Sequence, residues 1–119
     1  MSYQPQNAVV WSEIHVRELD KAAAFYSHVT GMEPARVEMF GTPVAVFGSM
    51  DGAGFDLQEG KPGAGSVVYI AAEGALEATM ERVRASGGTV TGDVMSVPSG
   101  RFFPCTDPDG NRIGFFETA

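Results

Sequence analysis

A pattern that occurs twice constrains this chain more than any other feature. Placing Trp11 on Val68 brings Gly31 onto Gly88, so a strand-like stretch, a helix-like stretch and a glycine return at one interval in both halves of the 119 residues. In the first copy, Val10, Ser12, Ile14 and Val16 alternate with Trp11, Glu13 and His15, the two-residue period of a strand with two unlike faces. After Glu18 the period changes. Leu19, Ala23, Tyr26 and Val29 recur at helical spacing, with Asp20 expected to cap the start and Gly31 to supply the left-handed residue at the end. In the second copy, residues 67–72 read as a strand. Leu76, Met80 and Val83 read as one face of a helix that ends at Gly87-Gly88, and a strand is expected over residues 89–97. A pattern repeated over half the chain points to two copies of one supersecondary unit.

The remaining segments complete each copy. Residues 36–40 and 44–47 are strand candidates about a turn at Gly41-Thr42-Pro43, and residues 49–52 form a second turn before a strand over 54–58. The glycine-rich residues 59–65 are the linker. Strands over residues 101–106 and 112–118 flank Asp107-Pro108-Asp109-Gly110, where proline presets φ and glycine accepts positive φ. The order is β-α-β-β-β twice: one domain over residues 1–119, with module one at about 8–60 and module two at about 66–119.

Composition narrows the function. Apolar residues make up 44% and charged residues 19%, ordinary for a globular protein. No apolar run reaches the roughly 20 residues that cross a bilayer, so no membrane partner is expected. The single Cys105 excludes internal disulfides and multi-cysteine metal sites, and with the absence of a leader-like pattern it fits a cytoplasmic protein. A net charge of −7 with eight scattered Lys and Arg repels a phosphate backbone, so nucleic acid is an unexpected partner and a neutral or cationic small molecule a better one.

Several stretches together resemble the vicinal oxygen chelate superfamily, which groups glyoxalase I, extradiol dioxygenases, fosfomycin-resistance enzymes and bleomycin-binding proteins. They are Val16-Arg17-Glu18-Leu19-Asp20-Lys21 with Phe25-Tyr26 and Gly31-Met32, then Arg82-Val83-Arg84-Ala85-Ser86-Gly87-Gly88, then Asp107-Pro108-Asp109-Gly110-Asn111-Arg112-Ile113. The resemblance implies an α+β fold of two βαβββ modules forming an incomplete barrel around a cavity, commonly in a homodimer. It also implies one divalent metal held at positions that fall here on Trp11, Asp56, Val68 and Gly114. Indole, isopropyl and hydrogen do not ligate metal, and one carboxylate is short of the three or more N/O ligands such a site needs. No cofactor is therefore expected, with a divalent metal left open through Glu13, His15 and Asp56.

Two readings of the strand residues stay open. A carboxylate in mid-strand must be solvated, paired or functional. Glu13 is thus either a general base beside Trp11 or the partner of Arg101, Arg36 or a neighbouring subunit. His15 is either a metal ligand or a hydrogen-bonded residue at the strand's mouth. The aromatic residues suggest a flat ligand slot: Trp11, Phe40, Phe47, Phe102, Phe103 and Phe116, with Gly114 leaving room and Phe115 turned to the core. The expected ligand-binding set is Trp11, Glu13, His15, Phe40, Asp56, Phe103, Gly114 and Phe116. Two functions follow: a metal-independent receptor for a small aromatic or cationic ligand, or a lyase or isomerase acting on a small carbonyl substrate through Glu13. A purely structural role, with the cavity filled by side chains, is the third.

Overall fold

The computed structural model describes residues 2–48, 52–63 and 65–119, so most of the turn expected over 49–52, and Ala64 of the linker, lie outside the described residues. Two compact units divide the chain: Trp11–Ser66, and Val67–Ala119 together with residues up to Val10. Each unit is a mixed sheet with one helix against it; the first carries the βαβββ order expected of an α+β chain built from a repeat, and the second carries it with one strand divided in two.

In the first unit, β1 (Val9–Val16) leads into α1 (Leu19–Thr30), followed by β2 (Ala35–Met39), β3 (Thr42–Phe47) and β4 (Gly54–Glu59). The strands run in the order β2-β3-β4-β1, and β1 lies parallel to β4 with Glu13 beside Asp56 and His15 beside Gln58. Alternation sends every second residue to α1. Leu19 and Ala23 of the helix pack on Ala45, Phe47 and Leu57, with Ile14, Val16, Tyr26 and Phe55 around them. Phe47 stacks on Phe55 at 5.0 Å between ring centroids, 4° from parallel.

Two local expectations are corrected here. Asp20 does not cap α1. The helix opens at Leu19, whose burial fixes the entry point, and the Leu19 N–H donates to Glu59 Oε2 at 3.0 Å. The cap thus comes from the end of β4, while Asp20 accepts from Arg36 Nη1 at 3.0 Å. The β2–β3 turn is Phe40-Gly41, tighter than Gly41-Thr42-Pro43, because Met39 pairs with Thr42. Both turn residues have positive φ, 53° at Phe40 and 80° at Gly41, the geometry of a two-residue hairpin loop.

The second unit repeats the plan with β5 (Val67–Ala71), α2 (Leu76–Ala85), β6 (Thr89–Val90), β7 (Met95–Val97), β8 (Gly100–Thr106) and β9 (Arg112–Thr118). Its strands run β5-β9-β8-β6, with β7 also on β8, and β5 parallel to β9. The single strand expected over 89–97 is split into β6 and β7, which pair separately with the far and near ends of β8. Leu76, Phe103 and Cys105 form the core, with Met80, Val83, Ile113 and Phe115 packed against it. The Asp107 turn closes β8 onto β9: its Oδ1 accepts the N–H groups of Asp109 and Asn111, both at 2.9 Å. Arg101 ties the first turn of α2 to the sheet, donating from Nε to Glu117 at 2.7 Å and from Nη1 to Glu77 at 3.0 Å.

Two of the phenylalanines expected in a ligand slot have opposite environments, Phe103 at 0% exposure in the core and Phe40 at 60% on a turn. Phe103→Ala should cost about 3–5 kcal/mol, and Phe40→Ala, at an exposed site, should cost less. Urea denaturation of both variants checks the contrast.

Candidate functional site

The parallel pairing of β1 with β4 gathers a polar group on the face of the first sheet turned away from α1. Trp11, Glu13 and His15 come from β1, and Asp56 and Gln58 from β4. Val44 and Val46 of β3 share this face, since they pair with Gln58 and Asp56. Asp56 is 2% exposed. The Trp11 indole Nε1–H donates to Asp56 Oδ2 at 2.7 Å, and the Gln58 amide approaches Oδ1 at 3.5 Å. Burial pushes the Asp56 carboxyl above its usual range. The Trp11 bond opposes that shift and the Glu13 charge adds to it. The indole is further fixed by Gly54, where an added Cβ would stand 2.8 Å from the ring.

Glu13 and His15 form the more accessible half. Glu13 Oε1 lies 2.9 Å from His15 Nε2, with side-chain exposures of 17% and 19%. A carboxylate only accepts, so Nε2 carries the proton in this bond. The His15 ring rests on Gly60, which has no Cβ to displace it. Neither arginine weighed as a partner for Glu13 reaches it: Arg36 bonds Asp20, and Arg101 bonds Glu77 and Glu117.

The three-ligand grouping of Glu13, His15 and Asp56 does not assemble among the described residues. Asp56 turns to the indole while Glu13 and His15 turn to each other. The positions that the resemblance sets at a metal do not fit one either: Trp11 presents an N–H donor, Gly114 has no side chain, and Val68 pairs with Ile113 on the α2 side of its sheet.

In the second unit, the face turned away from α2 holds Phe102 and Phe116 of the expected aromatic set, without Phe103 and with Tyr69 added. Phe103 lies on the core side with Phe115, 5.8 Å between ring centroids, and its neighbour Phe102 takes the other face. Phe102 stacks on Phe116 at 6.4 Å and meets Tyr69 edge-on at 5.2 Å. Phe47, likewise expected in the slot, is in the α1 core. Gly114 does not open space, because the Tyr69 ring covers it: a Cβ there would be 2.4 Å from Tyr69 Cε1. Sequence reading missed Tyr69 and Gln58. Alternation through Asp56 could have found Gln58, and a one-residue shift of the repeat on the strands would have given Tyr69.

A separate groove of about 380 Å³ runs between α2 and its sheet, lined by Tyr3, Arg82, Val83, Cys105, Pro108 and Phe115 among others. Cys105 is buried there, and burial first, then the Asp107 charge, pushes its thiol up, away from the thiolate a nucleophile needs.

The family model of the Glyoxalase/Bleomycin resistance protein/Dioxygenase superfamily matches residues 8–115, and the chain belongs to that family. Among solved structures it is similar to methylmalonyl-CoA epimerase from Mycobacterium tuberculosis, with 20% identity over 94% of this chain and 88% of that one, TM-score 0.70. It is also similar to the Mn(II)-bound glyoxalase from Novosphingobium aromaticivorans, at 23% identity over 92% of this chain and 38% of that one, TM-score 0.68. A hypothetical protein from Bacillus halodurans gives TM-score 0.74 at 12% identity, over 97% of this chain and 96% of that one. These likenesses establish a shared fold. No curated protein matches the sequence. No described helix is long and apolar enough to cross a membrane.

The raised Asp56 carboxyl has a signed consequence for stability. The native state binds this proton more tightly than the unfolded chain, so the contribution is full below the ordinary value of 3.8 and is lost as pH rises through the higher native value. Asp56→Asn should therefore gain stability relative to the parent as pH rises from acid to neutral. Urea midpoints of both proteins at steps between about pH 3 and 8 measure that difference.

Proposed function

We propose that this chain is a small-molecule receptor of the glyoxalase-like family, lacking the usual metal ligands and needing no metal, with its ligand placed against Trp11, Glu13 and His15. One observation carries the reading: the indole is held rigid by a 2.7 Å bond to a buried carboxyl, directly beside a partly exposed carboxylate–imidazole pair. A fixed aromatic surface next to a negative group suits a planar ligand bearing positive charge, which gains stacking, cation–π attraction and an ion pair together. Rigidity also lowers the ordering cost of binding. The valines of β3 supply apolar contact, and the chain's net charge of −7 favours the same ligand sign.

The Glu13–His15 bond also supports a second reading. A proton-holding imidazole bonded to a carboxylate is a competent acid–base pair, and epimerases are among the proteins with this fold. On this reading the chain is a lyase or isomerase in which Glu13 removes a proton next to a carbonyl.

Trp11 is the single tryptophan, so its emission reports directly on the site. N-methylquinolinium should perturb that emission saturably and bind about tenfold tighter than neutral 1-methylnaphthalene or anionic 1-naphthoate, a preference of the size expected for a cation on indole. Glu13→Gln should abolish the preference. Tighter binding of the anion would refute the receptor reading. Glu13-dependent incorporation of solvent deuterium into an acidic α-carbon, as in methylmalonyl-CoA, would establish the second.

A further inference from the structure

The repeat leaves open in the second unit a place that is filled in the first. The interval that sets Leu19 on Leu76 also sets Tyr26 on Val83 and Phe25 on Arg82. In the first unit the Tyr26 ring packs on Phe47 and Phe55, at 6.2 and 5.7 Å between centroids. In the second, Val83 brings no ring to that position, and the groove of about 380 Å³ opens against it. Its apolar walls are residues that pack on the core yet stay partly exposed: Ala72, Val83, Ile113 and Phe115. Tyr3 of the N-terminal arm stands at one side, and the arm is tied down where the Ala71 N–H donates to the Ala8 carbonyl at 2.9 Å. The groove follows α2 from Glu73 and Thr79 at its start to Ser86 and Gly88 at its end, a span of about 15 Å for ten helical residues. It lies wholly in the second unit and its arm, so it shares no residue with the group on β1 and β4. Its volume is that of a small-molecule site.

The second exchange in the repeat, phenylalanine for Arg82, sets the sign of the ligand. The guanidinium is turned back to the start of α2, where Nη2 donates to Thr79 Oγ1 at 2.9 Å and to the Glu73 carbonyl at 3.3 Å. Both acceptors are neutral. Arg84 is paired with Glu81, and Arg101 with Glu77 and Glu117, whereas Arg82 meets no carboxylate among the described residues. Its Nε and Nη1 donors are left for a ligand. Asp107 lines the groove at the opposite end, where a Cβ on Gly87 would stand 3.7 Å from Pro108, and its carboxylate already accepts the N–H groups of Asp109 and Asn111. We propose that this groove binds a small apolar anion, a straight-chain carboxylate of medium length, with its head on Arg82 and its chain laid along α2 over Val83, Ile113 and Phe115. A carboxylate matches the arginine fork, and the chain covers apolar surface that the unit leaves open. This ligand is opposite in sign to the one that the Trp11 face suits.

Isothermal titration calorimetry of the full chain with decanoate and with neutral decanol tests the proposal, with circular dichroism confirming that each variant is folded. One equivalent of decanoate should bind, about tenfold tighter than decanol, the preference expected of a charge-assisted hydrogen bond. Arg82→Gln, at an exposed position, should remove that preference and leave decanol binding unchanged. Val83→Tyr, which supplies the ring present in the first unit, should prevent decanoate from binding, and Glu13→Gln should leave its affinity unchanged. No binding of decanoate would overturn the proposal, as would a preference that survives Arg82→Gln or an affinity untouched by Val83→Tyr. Loss of binding in Glu13→Gln would also overturn it, by moving the ligand to the site on β1.

Discussion

In each unit the first strand lies parallel to the last, and the other features of that unit hang on this pairing. A parallel partner cannot be reached by a hairpin, so the chain must cross over, and α1 and α2 are the crossings. Once the helix covers one face of the sheet, the two-residue period of the strands decides which side chains become core and which remain for function. Glu13 and Asp56 meet because they are register partners in a parallel ladder, each pointing away from α1. The same rule places Ile14 and Leu57, one residue along, in the core.

The two units use this shared frame for different ends. The first concentrates titratable groups: a buried carboxyl anchoring an indole, and a carboxylate–imidazole pair beside it. The second has apolar rings in the corresponding place, with Tyr69 seated over Gly114 and Phe102 stacked on Phe116. Charge in this second unit is displaced to the helix side, where Arg101 holds Glu77 and Glu117. The chemistry of the chain is thus lopsided although its backbone is repeated.

Much of the fold was legible because it depends on short-range signals. The change from a two-residue to a helical period at Glu18, the Gly31 cap and the Asp107-Pro108-Asp109-Gly110 turn are local, and each has a physical cause within a few residues. What failed was parity. Leu19 and Leu76 open the two helices at the interval that sets Trp11 on Val68, yet the strand faces match Trp11 to Tyr69, one residue further on. A slip of one residue exchanges the faces of a strand. Parity also separates Phe102, on the face turned away from α2, from Phe103, which was expected in the slot and is core.

The sequence by itself determined the element order, the repeat and the side of β1 on which Trp11, Glu13 and His15 stand, since these follow from local period and spacing, while its motifs carried the resemblance to the family that matches residues 8–115. Only the tertiary structure decided who meets whom. Asp56 was legible as a lone carboxylate, but its bond to the Trp11 indole, across 45 positions of sequence, exists because β4 returns beside β1. Glu59 caps α1 for the same reason, in place of Asp20. Strand pairing is a long-range choice fixed by packing and register, and no local pattern encodes which oxygen a given N–H will find.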